Sequence, residues 1–104
     1  MSYIAYFMGW ESRGKITQAG YFLEWYAPGS NIPQCEPEDF TSLEGLERVW
    51  KKLGVCRWEG TDFTNFINES RHQVELYFKK GGDRTIGTGE TLGSALLDAT
   101  HAAI

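Results

Sequence analysis

The chain has 104 residues, a net charge of −4, 41% hydrophobic residues and 14% aromatic ones. That apolar content suffices for one two-layered core and argues against a disordered tail. The acidic balance argues against sequence-independent DNA binding, which needs a basic surface to neutralise phosphates.

Residues 2–10 hold Tyr3, Ile4, Tyr6, Phe7 and Trp10 and read as a strand with both faces at least partly covered. Residues 11–14 read as a turn. Residues 16–26 read as the partner strand of an antiparallel hairpin, with Gly20 as a bulge or a point of close approach. Residues 27–40 read as a loop carrying Pro28, Pro33 and Pro37. Loops of this length are often functional. Glu36, Glu38 and Asp39 lie on it, either as a solvated acidic run or as a contact for a basic partner.

Thr41-Ser42-Leu43-Glu44 has the spacing of a capping box, with Thr41 as the cap. Leu43, Leu46, Val49, Trp50 and Leu53 then fall on one helical face. Gly54 is placed to end that helix, and Lys51 and Lys52 complement the negative end of its dipole. Residues 55–59 read as a short strand. Residues 60–71 fit either a helical turn or an irregular loop, with Phe63, Phe66 and Ile67 as apolar points. Residues 72–78 alternate, with Val74, Leu76 and Phe78 on one face and Gln73, Glu75 and Tyr77 on the other. Residues 81–83 read as a turn and 84–88 as a further strand. Gly89-Glu90-Thr91 opens a helix over residues 92–104 with an apolar stripe of Leu92, Ala95, Leu96, Ala99 and Ala103. The order β-β-α-β-β-β-α predicts a single α+β domain over residues 1–104, an antiparallel sheet packed with two helices.

Gly87-Thr88-Gly89-Glu90-Thr91 tests as a phosphate cradle, since glycines leading into a helix N-terminus present backbone amides. No lysine follows the glycines, and Glu90 repels an anion, so a turn with Thr91 as helix cap is the preferred reading. His72, His101, Cys35 and Cys56 lack the spacing of a metal site, and no cofactor is expected. No Gly-x-Ser-x-Gly elbow is present, and Ser70-Arg71-His72 is a polar run rather than a triad. An enzyme is therefore not expected. With two cysteines, no basic-then-apolar leader and no membrane-length apolar run, the expected setting is a reducing cytoplasm. Trp10, Trp25, Trp50 and Trp58 are hard to bury together. Trp58, Phe63 and Phe66 are therefore candidates for exposed anchors of the kind enriched at interface hot spots.

Residues 41–104 resemble the small phage proteins grouped as the phage ABA sandwich domain. The resemblance is carried by the helix Leu43-Glu44-Gly45-Leu46-Glu47-Arg48-Val49-Trp50, the strands that follow, and the Gly87-Thr88-Gly89-Glu90-Thr91 step. The alanine-bearing helix Leu92-Gly93-Ser94-Ala95-Leu96-Leu97-Asp98-Ala99 completes it. Residues 60–71 read as an insertion relative to that pattern. The resemblance implies a bacteriophage or prophage protein acting in the host bacterial cytoplasm.

The leading expectation is a non-enzymatic accessory protein that binds and inhibits a host defence complex, protein or ribonucleoprotein, as anti-CRISPR proteins do. The expected partner-binding residues are Trp58, Glu59, Asp62, Phe63, Phe66 and Glu69, with Glu36, Glu38 and Asp39 as a second patch. Direct nucleic-acid contact is not expected. One alternative is a sponge for a nucleotide signal, using Arg57, Arg71, Lys79, Lys80 and Arg84, with a homodimer joining two sets. Another is a minor structural phage protein.

Overall fold

The computed structural model describes residues 2–64 and 67–104. The fold class is α+β, with two antiparallel sheets and three helices. The chain divides into two compact units, Met1–Phe40 and Thr41–Ile104.

The first unit opens with a helix, α1 (Ser2–Phe7), where the aromatic run had predicted a strand. The helix ends because Gly9 takes a left-handed φ of 92°. Its amide donates to the Tyr6 carbonyl at 3.0 Å, and the Trp10 amide donates to the Ala5 carbonyl at 3.0 Å. This paired closure is a Schellman motif, which needs glycine at the left-handed position. The strands β1 (Glu11–Thr17) and β2 (Gly20–Tyr26) form a two-stranded sheet. Residues 11–14, expected as a turn, are therefore strand. Gly14 is needed because the Tyr21 ring occupies the space a β-carbon would fill. The reversal is the two residues Gln18 and Ala19, closed by the Ala19 amide donating to Thr17 Oγ1 at 3.2 Å. Gly20, with φ of 120°, ends this turn rather than forming a bulge. The proline-bearing loop folds back on β2 through reciprocal 2.8 Å bonds between the backbones of Trp25 and Gln34.

The second unit runs α2 (Leu43–Leu53), β3 (Val55–Thr64), β4 (Ser70–Phe78), β5 (Arg84–Gly89) and α3 (Leu92–Ala103). Ser42, not Thr41, caps α2, accepting from the Gly45 amide at 3.2 Å. Gly54 closes the helix in the left-handed region with φ of 85°, as expected. The three strands form one antiparallel sheet in the order β3-β4-β5. Leu46, Trp50, Val74, Leu76, Ala95, Leu96 and Ala99 make the core, so both helices pack on the sheet face that carries Val74 and Leu76. Val74 pairs across β5 with Gly87, and a β-carbon at Gly87 would lie 2.5 Å from the Ala99 Cα. The glycines of the 87–89 step thus let helix and sheet backbones touch, and neither makes a turn. Trp10, Trp25 and Trp50 are all buried, at 8%, 7% and 5% exposure.

Candidate functional site

Most of residues 60–71, expected as a helical turn or loop, belong to a long hairpin. β3 and β4 stay paired from Arg57↔Tyr77 out to Thr64↔Ser70. β5 pairs with β4 only as far as His72↔Gly89. Beyond that point two pairs, Phe63↔Arg71 and Thr64↔Ser70, form a short two-stranded arm that extends past the third strand. Thr61, Asp62 and Thr64 hid it, because a single apolar residue, Phe63, among exposed polar ones makes no alternation to read as a strand.

In an antiparallel sheet, directly opposed residues share a face. Arg57, Glu59, Thr61 and Phe63 of β3 therefore lie beside Tyr77, Glu75, Gln73 and Arg71 of β4, on the face without helices. Arg84 and Ile86 of β5 continue the same face. Its polar groups are tied together. The Arg57 guanidinium lies 4.0 Å from the Tyr77 ring centre and 2.5 Å from Glu59 Oε1. The Tyr77 hydroxyl donates to Glu75 Oε2, and Glu59 Oε2 lies 3.1 Å from the same hydroxyl. Arg84 Nη1 reaches the same Glu75 oxygen at 3.3 Å. The Tyr77 hydrogen bond, helped by Arg84, holds the Glu75 carboxyl below the usual carboxylate range. The same bond, with burial and Glu59, raises the Tyr77 phenol above its ordinary value.

Phe63 is 38% exposed and Ile67, at the arm's end, is 60% exposed. Ile86 is exposed on the same face as Glu75. Asp62 is exposed, with Oδ1 2.7 Å from His72 Nδ1, and Glu69 is exposed at the base of the returning strand. Trp58 is not an exposed anchor. It opposes Leu76 on the helix-covered face, packs against the core, and sits with its ring 6.3 Å from that of Trp50. Phe66 lies outside the described residues. Glu36, Glu38 and Asp39 are exposed but belong to the first unit. Sequence reasoning missed Ile86 and the Arg57–Tyr77 stack. The first was legible as an apolar residue on a strand, while the second depends on a register that sequence does not print.

The first unit has its own exposed apolar surface. Ile16, 84% exposed, opposes Tyr21, 68% exposed, with Leu23 on the same face of the hairpin. Nearer the helix, Tyr6 covers this face by tilting over Trp25 at 5.3 Å between ring centres.

Three amides at and beside the 87–91 step have side-chain partners. The Thr88 amide donates to Asp98 Oδ2 at 2.9 Å, and the Thr91 amide donates to Ser94 Oγ at 3.1 Å. The Ser94 amide in turn donates to Thr91 Oγ1 at 3.1 Å. The step is a capping box that starts α3. Ser94, Asp98 and His101 fall along one side of α3, but the Ser94 and Asp98 side chains are spent on these caps. Among the described residues, no group of three His, Cys, Asp or Glu side chains is placed to hold a metal ion, and no helix is long and apolar enough to cross a membrane. Compared with known proteins, the chain matches no family model, no curated protein and no solved structure.

Proposed function

We propose that the chain is a protein-binding module that uses the β3–β4 arm and the adjoining helix-free sheet face as its contact surface. The observation that carries this reading is the arm itself. It holds Phe63 and Ile67 outside the core, beside a row of side chains already fixed by mutual hydrogen bonds and ion pairs. A pre-ordered polar rim loses little side-chain entropy on association, and exposed aromatic and aliphatic groups beside it supply burial. Asp62 and Glu69 beside the arm, with Glu59 on the adjoining sheet face, supply acidic groups suited to a basic protein or ribonucleoprotein partner. The exposed Glu36, Glu38 and Asp39 are a second acidic contact.

Within this reading the chain is a non-enzymatic bacteriophage accessory protein that inhibits a host defence complex, anti-CRISPR-like, in the host bacterial cytoplasm. The support is the resemblance of residues 41–104 to small phage proteins together with the acidic, aromatic arm. The test is expression in a bacterium whose CRISPR system restricts a targeted phage. Recovery of plating by the wild-type chain and its loss with Phe63→Ala is the expected result. Restriction left intact by a folded, expressed chain contradicts the inhibitor role in that host.

A further inference from the structure

At the end of the second unit opposite the arm's tip, two pairs of consecutive lysines meet. Gly54 ends α2, and its carbonyl accepts a 3.0 Å hydrogen bond from the Lys79 amide. The β4–β5 turn is closed by the Phe78 amide and the Asp83 carbonyl at 3.4 Å, with Gly81 and Gly82 both left-handed at φ of 83° and 66°. These backbone links set Lys79 and Lys80 beside the Lys51-Lys52 end of the helix. A cavity of about 510 Å³ opens there, lined by Lys52, Lys79, Lys80, Asp83, Leu53 and Phe78, with Gly54 also in the lining. A neighbouring recess shares Lys79 and adds Lys51 and Arg57 together with Glu47.

The helix dipole accounts for Lys51 and Lys52, since cations favour a helix C-terminus. It does not account for Lys79 and Lys80, which come from another element and make no ion pair among the described residues. Lys52, Lys79 and Lys80 line the cavity with one acidic residue, Asp83, in a chain whose net charge is −4, and Lys79 and Lys80 bring positive charge there against the overall field. The volume lies within the range of small-ligand sites, roughly 300–1,000 Å³. Lysines act as mobile point charges suited to phosphate, whereas paired carboxylate recognition favours the arginine fork. Leu53 and Phe78 add an apolar wall, so the site suits an anion with an organic body.

We infer that this lysine-lined cavity binds a small organic phosphate of the nucleotide class, with the phosphates on Lys52, Lys79 and Lys80 and the apolar body against Phe78 and Leu53. The site is separate from the arm, and the inference stands or falls independently of the protein-binding reading. The test is calorimetric titration of the full chain with ATP, with inorganic triphosphate and adenosine as comparators, at low and at physiological salt. Saturable ATP binding is expected, tighter than triphosphate and weakened by salt. The Lys79→Gln/Lys80→Gln double variant should lose at least about tenfold in affinity at an unchanged melting temperature. No heat with ATP at millimolar concentration overturns the inference. So does equal affinity for triphosphate and ATP, or unchanged ATP binding by the double variant.

Discussion

The indole nitrogen of Trp50 donates a 2.8 Å hydrogen bond to Thr100 Oγ1, joining α2 to α3 inside the core. Thr100 is fully buried, and its own hydroxyl donates to the Leu96 carbonyl at 2.8 Å, so both polar groups are satisfied. Thr100→Val keeps the shape and leaves the Trp50 N–H unpaired in an apolar setting. The expected cost is about 1–3 kcal/mol, or a fall of roughly 4–8 °C in melting temperature per kcal/mol for a domain of this size. Replacing both partners, with Trp50→Phe added, should cost less than the sum of the single changes. A double-mutant cycle by thermal denaturation checks this.

The contact of Gly87 with Ala99 predicts opposite outcomes at two glycines. Gly87→Ala drives a methyl group into the α3 backbone and should destabilise by about 1–3 kcal/mol or more. Gly93→Ala, in the first turn of α3, meets nothing closer than Thr91 Oγ1 at 4.0 Å. It should stabilise by about 0.4–1 kcal/mol, because it restricts the unfolded chain and improves helix propensity. Chemical denaturation of the two variants is the check.

The Glu75–Tyr77 bond makes stability depend on pH at both extremes. The Glu75 carboxyl is lowered from its ordinary value of 4.5, so its contribution is present above that value and is lost as pH falls through the lowered one. The Tyr77 phenol is raised from 10.0, so its contribution is full below 10.0 and is lost as pH rises through the raised value. Tyr77→Phe removes the bond. Its melting temperature should change less steeply than wild type on both the acid and the alkaline limb. A parallel pair, Tyr26 donating to Glu24 at 2.9 Å, shifts in the same directions and is untouched by this variant.

Surface and core aromatics separate by substitution. Trp58→Ala should destabilise by about 2 kcal/mol or more, since its ring packs against the core. Phe63→Ala should stay within about 1 kcal/mol of wild type, because the ring is partly solvated on the arm. Melting curves for the two variants decide between an anchor and a core residue at each position.

The elements with strong periodicity were legible. The face Leu46, Val49, Trp50 and the stripe Ala95, Leu96, Ala99 lie in the sequence at helical spacing, and Gly54 and Thr91 mark the ends as caps do. The alternation at Val74 and Leu76 likewise gave β4 its buried face. What failed has local causes. Tyr3, Ile4, Tyr6 and Phe7 favour a strand by composition, and only Gly9 at the left-handed closing position signals α1. Gly14 looks like a turn residue, yet it is a strand glycine sheltered by Tyr21. The arm was missed because Thr61, Asp62 and Thr64 surround Phe63 with polar residues, so no apolar alternation marks the strand there. Trp58 was misjudged because its burial depends on the register that sets it opposite Leu76, and register is fixed by tertiary contacts rather than composition.

The proposal that the arm and the helix-free face bind a protein partner is tested most directly by affinity capture from lysate of bacteria with an active CRISPR system, using the tagged wild-type chain beside Phe63→Ala and Ile86→Arg. Both substitutions are at exposed positions, so each variant should stay folded and within about 1 kcal/mol of wild type. The account predicts a stoichiometric defence-complex partner retained by the wild type and depleted about tenfold or more by each variant. Equal retention by folded variants, or no stoichiometric partner for the wild type, would contradict it.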